Sequence, residues 1–235
     1  MSLRRIAVLV SGRGSNLRAL VEHLDARGGL RSADVVLVAS DRVDAGALAF
    51  ARERGLPAEA VAMDDTHERS LGALLHHAAI DLVVLAGYVR RVPPSIVRDF
   101  AGRIVNVHPA LLPSFGGAGM YGARVHRAVL DAGARLSGPT VHFVTDEYDR
   151  GAIIAQWPVP VFVGDNVERL AARVLRAEHA LYPRTVDALA AGRVSLAPDG
   201  RVVGGLDLAA EDVAFTLVTD EETDSAHSID QLFAH

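Results

Sequence analysis

The chain of 235 residues is 50% hydrophobic and 23% charged, as folded globular proteins are, whereas its net charge of −5 and its 5% of aromatic residues argue against nucleic-acid binding. It contains no cysteine and no lysine, which excludes disulfides, thiolate catalysis, Schiff-base chemistry and a P-loop lysine. No apolar run approaches the ~20 residues of a membrane span, and the first run is too short for a signal peptide, so a cytoplasmic protein is expected.

The chain starts with a short apolar run, residues 6–10, which predicts a buried strand. A glycine-containing turn, S-G-R-G-S-N, occupies residues 11–16, and apolar residues at helical spacing over 17–24 predict a helix capped by Ser15 or Asn16. A strand, a glycine turn and a helix N-terminus bring backbone N–H groups together at a sheet edge. This combination predicts an anion site, with a phosphate monoester as the best fit.

Two alternatives to the phosphate site remain open at this turn. It could be a plain βα turn that binds nothing. It could also be a dinucleotide site, with Asp41 at the end of the next strand as the ribose-binding acid. The fingerprint G-x-G-x-x-G is not completed, however, because Leu17 stands where the third glycine belongs.

The next part of the chain alternates between strand and helix patterns. Strands are predicted over residues 35–39, 60–62, 81–86 and 103–108, and helices over residues 45–54, 68–79 and 93–100. This repetition predicts an α/β fold with a doubly wound, mostly parallel sheet.

The second half of the chain departs from the simple alternation. A glycine-dense loop over residues 114–122 precedes a predicted helix over 123–132, strands over 140–145, 152–156 and 159–163, and a long helix over 167–189 with a break or kink near Pro183.

We expect one domain over residues 1–192 and a C-terminal extension over 193–235. The extension is predicted to be a small hairpin followed by an acidic, partly disordered tail, because residues 207–235 contain eight acidic residues and no arginine.

Polar residues interrupt the apolar strand over residues 103–108. Asn106 and His108 are two positions apart, so they lie on one face at the carboxyl edge of the sheet, where Pro109 stops the strand. Asp149 follows the next strand. A histidine can transfer a proton, a carboxylate can orient it and stabilise its charged form, and an asparagine amide can donate to an oxyanion. This set suits acyl transfer to an amine without a covalent intermediate, since no G-x-S-x-G elbow is present.

Each of these residues also has a simpler interpretation. A histidine on a strand is often a core residue with satisfied hydrogen bonds. A zinc or iron site from His108, His142 and Asp149 is conceivable, although no close ligand spacing supports it.

Five motifs together resemble phosphoribosylglycinamide formyltransferases. They are S-G-R-G-S-N-L (11–17), L-A-G-Y (85–88), N-V-H-P-A-L-L-P-S-F (106–115), V-H-F-V-T-D-E-Y-D (141–149) and A-E-H-A-L-Y-P (177–183). The resemblance implies a Rossmann-like formyltransferase fold. It also implies transfer of a formyl group from 10-formyltetrahydrofolate, without a metal, to the amine of glycinamide ribonucleotide in de novo purine biosynthesis.

The resemblance also implies the site residues and a cis bond between Leu112 and Pro113. Asn106, His108 and Asp149 would be catalytic. The ribonucleotide, with its phosphate on the turn, would contact Gly14, Ser15, Asn16, Gly87, Pro109 and Glu178. The folate would contact Leu85, Val89, Arg90, Arg91, Val92, Asn106, Thr145, Asp146, Glu147 and Asp149.

The sequence departs from the family pattern at several positions. Arg150 replaces the usual glycine after the catalytic aspartate, and Arg91 stands where an aliphatic residue commonly lines the pterin pocket. The family's folate-contacting arginine has no clear match, and His67 or Arg69 are the candidates to replace it. The loop over residues 116–122 is longer than in many members.

Three related functions compete with this assignment. Formyltetrahydrofolate deformylase usually has an N-terminal regulatory domain, for which the first strand leaves no room, and methionyl-tRNA formyltransferase has a basic C-terminal domain, whereas this tail is acidic. A non-catalytic nucleotide-binding paralogue would not need the catalytic set. The expected partners are small molecules, with neither nucleic acid nor a membrane, and a homodimer is left open.

Overall fold

The computed structural model of the chain describes residues 3–206, so the predicted acidic tail lies outside the described residues. The strands are β1 (Arg4–Val10), β2 (Ala33–Ser40), β3 (Ala58–Ala60), β4 (Leu82–Leu85), β5 (Ile104–His108), β6 (Leu136–Ser137), β7 (Thr140–Phe143), β8 (Ile153–Gln156), β9 (Val159–Pro160), β10 (Val194–Leu196) and β11 (Val202–Gly204). The helices are α1 (Ser15–Ala26), α2 (Gly46–Glu53), α3 (His67–His77), α4 (Pro94–Asp99), α5 (Ala123–Asp131) and α6 (Val167–Ala190), with a 3₁₀ turn at Gly28–Leu30.

The predicted mostly parallel sheet is confirmed. Seven strands lie in the order β3-β2-β1-β4-β5-β7-β8. The pairs β1–β2, β1–β4, β2–β3 and β4–β5 are parallel, whereas β7 and β8 continue the sheet as antiparallel strands. The strand order reverses between β1 and β4. In open α/β sheets a ligand crevice forms outside the carboxyl ends of the strands at such a reversal.

Helices cover both faces of the sheet. Successive side chains of a strand point to opposite faces, so each face of a central strand packs against its own set of helices. Ile6, Val8 and Val10 belong to a core formed with α1, α2 and α6. Ala7 and Leu9 belong to a second core formed with α3 and α4. This burial on both faces explains why β1 reads as a continuous apolar run and not as an alternating one.

Two predicted strands differ from the observed ones. The third strand was predicted over residues 60–62 and lies at Ala58–Ala60. The strand predicted over 159–163 ends at Pro160, because the Phe162 amide donates a hydrogen bond of 2.8 Å to the Asp165 carboxylate, and this turn takes the chain away from its partner. That partner is β6, a strand of two residues that the sequence did not predict.

The sequence predicted a break or kink near Pro183; no break occurs there, because α6 runs without interruption from Val167 to Ala190. Proline in a helix interior removes one hydrogen bond and costs about 3 kcal/mol. The neighbouring side chain offsets this cost, because Tyr182 is buried and its hydroxyl lies 3.0 Å from the Leu85 carbonyl and 3.1 Å from the Val105 carbonyl. Packing on β4 and β5 therefore holds the helix across the proline.

The start of the C-terminal extension packs on the main core. β10 and β11 pair as an antiparallel hairpin, where the sequence predicted one, and Val194 is a buried core residue. The buried carboxylate of Asp187 accepts from Ser32 Oγ at 2.6 Å and from Arg193 at 2.9 Å. The boundary at residue 192 stays a prediction. Within residues 3–206, no helix has the length and apolar character to cross a bilayer.

Candidate active site

A cavity of about 750 Å³ lies at the carboxyl edge of the sheet, beside the reversal of strand order. Its walls are the segments that follow β1, β4, β5 and β7, together with the first turn of α5 and one face of α6. The predicted site residues that line it are Ser15, Asn16, Leu85, Gly87, Val89, Arg90, Arg91, Val92, Asn106, His108, Pro109, Thr145, Asp146, Glu147, Asp149 and Glu178. Gly14 is not among the lining residues, although its neighbours Arg13 and Ser15 are.

The turn after β1 needs a glycine at position 14. Gly14 has φ 80°, and a Cβ there would lie 2.6 Å from the Cβ of Ala47. The predicted cap of α1 by Ser15 or Asn16 is wrong, because no side chain caps this helix and the Asn16 amide instead donates to Glu178 at 2.7 Å. The first backbone amides of α1 therefore lack a side-chain acceptor at the wall of the cavity.

Glu178 is a buried carboxyl group on α6, with 8% of its surface exposed. Burial raises its pKa to about 7, although the hydrogen bond from Asn16 acts in the opposite direction. Asn16 Oδ1 is also buried and has no hydrogen-bond partner among the described residues. This end of the cavity thus offers an acceptor and a carboxyl group that exchanges its proton near neutral pH.

Asn106, His108 and Asp149 converge at the centre of the cavity, as the sequence predicted. β5 carries Asn106 and His108, and the loop after β7 carries Asp149. His108 Nδ1 lies 3.6 Å from Asp149 Oδ2. His142, which lies opposite Asn106 in the register of β5 and β7, joins the group with Nε2 3.6 Å from Asp149 Oδ1 and 3.2 Å from Asn106 Nδ2.

Two residues with left-handed backbone conformations hold this group in place. Asp149 has φ 54° and Phe115 has φ 56°, conformations that residues other than glycine rarely adopt and that cluster at functional sites. The Phe115 carbonyl accepts a hydrogen bond of 2.9 Å from His108 Nε2, and the Gly117 amide donates at 2.8 Å to Asp149 Oδ2. The loop after β5 thus orients both the imidazole and the carboxylate. The same loop contains the cis Leu112–Pro113 bond that the resemblance implied.

Burial decides the charge of His108 in this site. It lowers the pKa of the imidazole, while the Asp149 carboxylate and the Phe115 carbonyl raise it by smaller amounts. The neutral ring is therefore favoured before substrates bind.

Of the departures from the family pattern, Arg91 lies in the cavity wall, beside the loops after β4 and β7. The Arg91 guanidinium donates at 2.8 Å to the Asp146 carbonyl and so joins the loop after β4 to the loop after β7. His67 and Arg69 are not among the residues that line the cavity. Asp41 pairs with Arg90 at 3.1 Å and does not line it either, so the arrangement of a ribose-binding acid is not formed.

Sequence reasoning missed two histidines of the cavity wall. His142 was considered only as a metal ligand, although its place on an alternating strand could have assigned it to the face of Asn106. His126 on α5 is buried, with Nδ1 unpartnered among the described residues, and burial followed by the nearby His108 lowers its pKa. No sequence signal locates it, since the preceding glycine loop decides where α5 lies. In residues 3–206, no group of three or more His, Asp or Glu is arranged to hold a metal ion.

Comparison with known proteins decides the family. A family model described as formyl transferase matches residues 4–186. This chain belongs to the formyl transferase family. Two relatives are named phosphoribosylglycinamide formyltransferase. The chloroplastic protein of Arabidopsis thaliana is 44% identical over 203 residues, which span 84% of this chain and 69% of that protein. The Escherichia coli protein is 39% identical over 199 residues, which span 81% of this chain and 89% of that protein.

Two solved structures of named proteins share the fold. The phosphoribosylglycinamide formyltransferase of Anaplasma phagocytophilum superposes with a TM-score of 0.80 at 35% identity, over 88% of this chain and 97% of that one. A formyltetrahydrofolate deformylase of Pseudomonas syringae gives 0.78 at 26% identity, over 87% of this chain and 66% of that one. The resemblance to phosphoribosylglycinamide formyltransferases is thus confirmed.

Proposed function

We propose that this chain transfers a formyl group from 10-formyltetrahydrofolate to the amine of glycinamide ribonucleotide in de novo purine biosynthesis. The observation that carries the proposal is one cavity in which Asn106, His108 and Asp149 meet beside the uncapped N-terminus of α1. Its volume of about 750 Å³ falls within the range of roughly 300–1,000 Å³ typical of small-molecule sites.

The ribonucleotide would occupy the end of the cavity next to α1. Backbone amides of Gly14, Ser15 and Asn16 would hold its phosphate, because a helix N-terminus combines N–H donors with the positive end of the helix dipole. Glu178 and the Asn16 amide group would bind other polar groups of the same substrate, next to Gly87 and Pro109.

The folate would occupy the opposite end, between the loops after β4 and β7. The residues proposed to contact it are Leu85, Val89, Arg90, Arg91, Val92, Asn106, Thr145, Asp146, Glu147 and Asp149. Arg91 would act mainly by holding the two loops together, since its guanidinium already donates to the Asp146 carbonyl.

The reaction would proceed by direct attack. The substrate amine forms a bond to the formyl carbon, and the formyl oxygen becomes an oxyanion that accepts a hydrogen bond from Asn106, a contact worth about 3–4 kcal/mol in other enzymes. The attacking nitrogen gives up its excess proton, directly or through water, to neutral His108, and Asp149 stabilises the imidazolium that forms. When the bond from the formyl carbon to the folate nitrogen breaks and the oxyanion becomes the C=O of the product, the imidazolium returns this proton to the folate nitrogen, directly or through water.

A spectrophotometric assay with glycinamide ribonucleotide and a 10-formyl folate analogue tests the proposal. We expect deformylation of the analogue to depend on the ribonucleotide. Asp149→Asn should lower kcat by about 100-fold or more with little change in either KM, because asparagine tolerates the left-handed backbone but cannot stabilise an imidazolium. The control is the thermal stability of the variant.

Three outcomes would contradict the proposal. Release of formate without the amine substrate would indicate a deformylase. Ribonucleotide binding that depends on the phosphate, but without turnover, would indicate a non-catalytic paralogue. A near-normal rate for Asp149→Asn would remove the role assigned to that carboxylate.

A further inference from the structure

The two ring nitrogens of His142 face different kinds of partner, a carbonyl oxygen and an amide nitrogen. Its Nδ1 lies 2.9 Å from the Phe143 carbonyl oxygen, and its Nε2 lies 3.2 Å from Asn106 Nδ2. The ring is almost completely buried, with 2% of the residue exposed. Because β5 and β7 are antiparallel and pair Asn106 with His142, both side chains project from the same face of the sheet.

The contact with Phe143 decides which ring nitrogen carries the proton. A carbonyl oxygen can only accept, so Nδ1 has to be the N–H donor. Burial lowers the pKa of His142, which favours the neutral ring, and in that ring Nε2 is left with a lone pair. Nε2 is therefore a hydrogen-bond acceptor, and Asn106 Nδ2 donates to it.

The two ends of a carboxamide have nearly the same shape, so packing alone does not choose between them. A partner of fixed polarity does. If the Asn106 amide were reversed, its oxygen would meet the Nε2 lone pair, and two acceptors would face each other in a buried site. In the observed orientation one N–H of Asn106 bonds to His142, and the second N–H is left for another acceptor.

We infer that His142 is a positioning residue that holds the Asn106 carboxamide with an N–H, and not its C=O, directed at the formyl oxygen. The inference rests on the proposed function and adds a residue to it. Asp149 is a less direct partner of the ring, since its Oδ1 lies 3.6 Å from Nε2, beyond the distance of an ordinary hydrogen bond.

A spectroscopic experiment tests the first step without any turnover. Long-range ¹H–¹⁵N correlation spectra of the ¹⁵N-labelled protein at pH 7.5 report which nitrogen of each imidazole is protonated. The His142 signals, assigned by their loss in His142→Gln, should show a protonated Nδ1 and an unprotonated Nε2. A proton on Nε2, alone or together with one on Nδ1, would overturn the inference. This result does not depend on whether the proposed reaction occurs.

Kinetics test the second step. His142→Leu should lower kcat roughly 10- to 100-fold, the scale on which a misplaced catalytic group acts, with both KM values changed less than threefold. His142→Gln should recover most of this loss, because its amide oxygen can accept from Asn106. Equal losses in the two variants, or a loss that appears in KM and not in kcat, would contradict a positioning role. Thermal unfolding of both variants controls for the fold.

A double-mutant cycle identifies the residue through which His142 acts. On an Asn106→Ala background, His142→Leu should reduce single-turnover rates less than twofold, because no carboxamide is left to orient. On an Asp149→Asn background, His142→Leu should reduce the single-turnover rate by its full factor. The inference would be wrong if His142→Leu kept its full effect on the Asn106→Ala background and lost it on the Asp149→Asn background, because His142 would then act through the carboxylate.

Discussion

At the scale of single residues, the buried carboxyl group of Glu178 is harder to ionise in the folded protein than in the unfolded chain. Its pKa rises from 4.5 to about 7 because the group is buried. As the pH rises, Glu178 therefore loses its proton at a lower pH in the unfolded chain than in the folded protein. Below pH 4.5 the group has little effect on the free energy of unfolding. Between pH 4.5 and pH 7 it lowers the free energy of unfolding progressively, and above that range the loss stays constant.

Glu178→Gln removes this cost while it keeps an acceptor for the Asn16 amide. We expect the variant to unfold at higher urea concentration than the wild type at pH 8, with a gain on the order of 3 kcal/mol as an upper value, and to show almost no gain at pH 4.5. Equal gains at both pH values would mean that the buried charge is not the cause. The KM for the ribonucleotide should rise in the same variant.

Gly116 is a second single residue on which the site depends. A Cβ at this position would lie 2.5 Å from Leu112 Cδ2 and 3.1 Å from Asp149 Cβ. Gly116→Ala should therefore displace the carboxylate and lower kcat about tenfold or more, as small misplacements of catalytic groups do.

The matched control is Gly72→Ala in α3, where the new Cβ would come no closer than 4.0 Å to Ile96. This change should leave kcat unaltered and stabilise the protein by about 0.5–1 kcal/mol, because alanine loses less backbone entropy than glycine in a helix. Comparable kinetics for the two variants would show that the space around Gly116 is not limiting.

At the scale of elements, the hydrogen bond from Arg91 to the Asp146 carbonyl joins the two loops that flank the proposed folate site. Arg91→Leu restores the aliphatic character that is common in the family and removes this contact. We expect the KM for the folate analogue to change about two- to tenfold, which corresponds to one ordinary hydrogen bond, with the KM for the ribonucleotide unaffected.

Arg98→Leu is the control for Arg91→Leu, since Arg98 is exposed on α4 and is not among the residues that line the cavity. Both KM values should match the wild type in this control. A parallel change of both KM values in Arg91→Leu would point to a general loosening of the fold and not to the folate side.

The elements also show where sequence patterns succeed and fail. β1 and β4 were predicted because strands covered on both faces carry unbroken apolar runs. The two-residue strand β6 carries too short a pattern to be detected, and its pairing with β9 depends on a segment more than twenty positions away. The break that Pro183 suggested does not occur, because the local cost of the proline is offset by the burial of Tyr182 against β4 and β5.

At the scale of the whole molecule, buried histidines couple stability to pH. Among residues 3–206, full or partial burial is the largest influence on five imidazoles and lowers each pKa below the ordinary value of 6.5; these are His23, His108, His126, His142 and His179. The unfolded chain then takes up protons that the folded protein resists. The stability that these groups contribute is complete above pH 6.5 and decreases as the pH falls below it.

We therefore expect the Tm of the unliganded protein to fall between pH 7.5 and pH 5.5. Glu178 acts in the opposite direction over this interval, so the fall should be steeper in Glu178→Gln and shallower in His142→Gln. Differential scanning calorimetry of the three proteins at constant ionic strength measures this. A Tm that rises towards pH 5.5 in Glu178→Gln would show that the histidines are not buried in their neutral form.

The sequence by itself determined the class of fold and the residues available for chemistry. Strand and helix periodicities are local, and two residues on one strand share a face whatever surrounds them, so the parallel sheet and the pairing of Asn106 with His108 could be predicted. The five motifs added the family. These inferences need no knowledge of which distant segments meet.

Only the tertiary structure decided the partners and the charges within the site. Asn16 and Glu178 are 162 positions apart, and their contact replaced the expected helix cap. The partner of His142 and the protonation preferences of His108 and Glu178 depend on burial and on neighbours from several loops. Hydrogen-bond polarity and desolvation are properties of a three-dimensional environment, so no local sequence pattern encodes them.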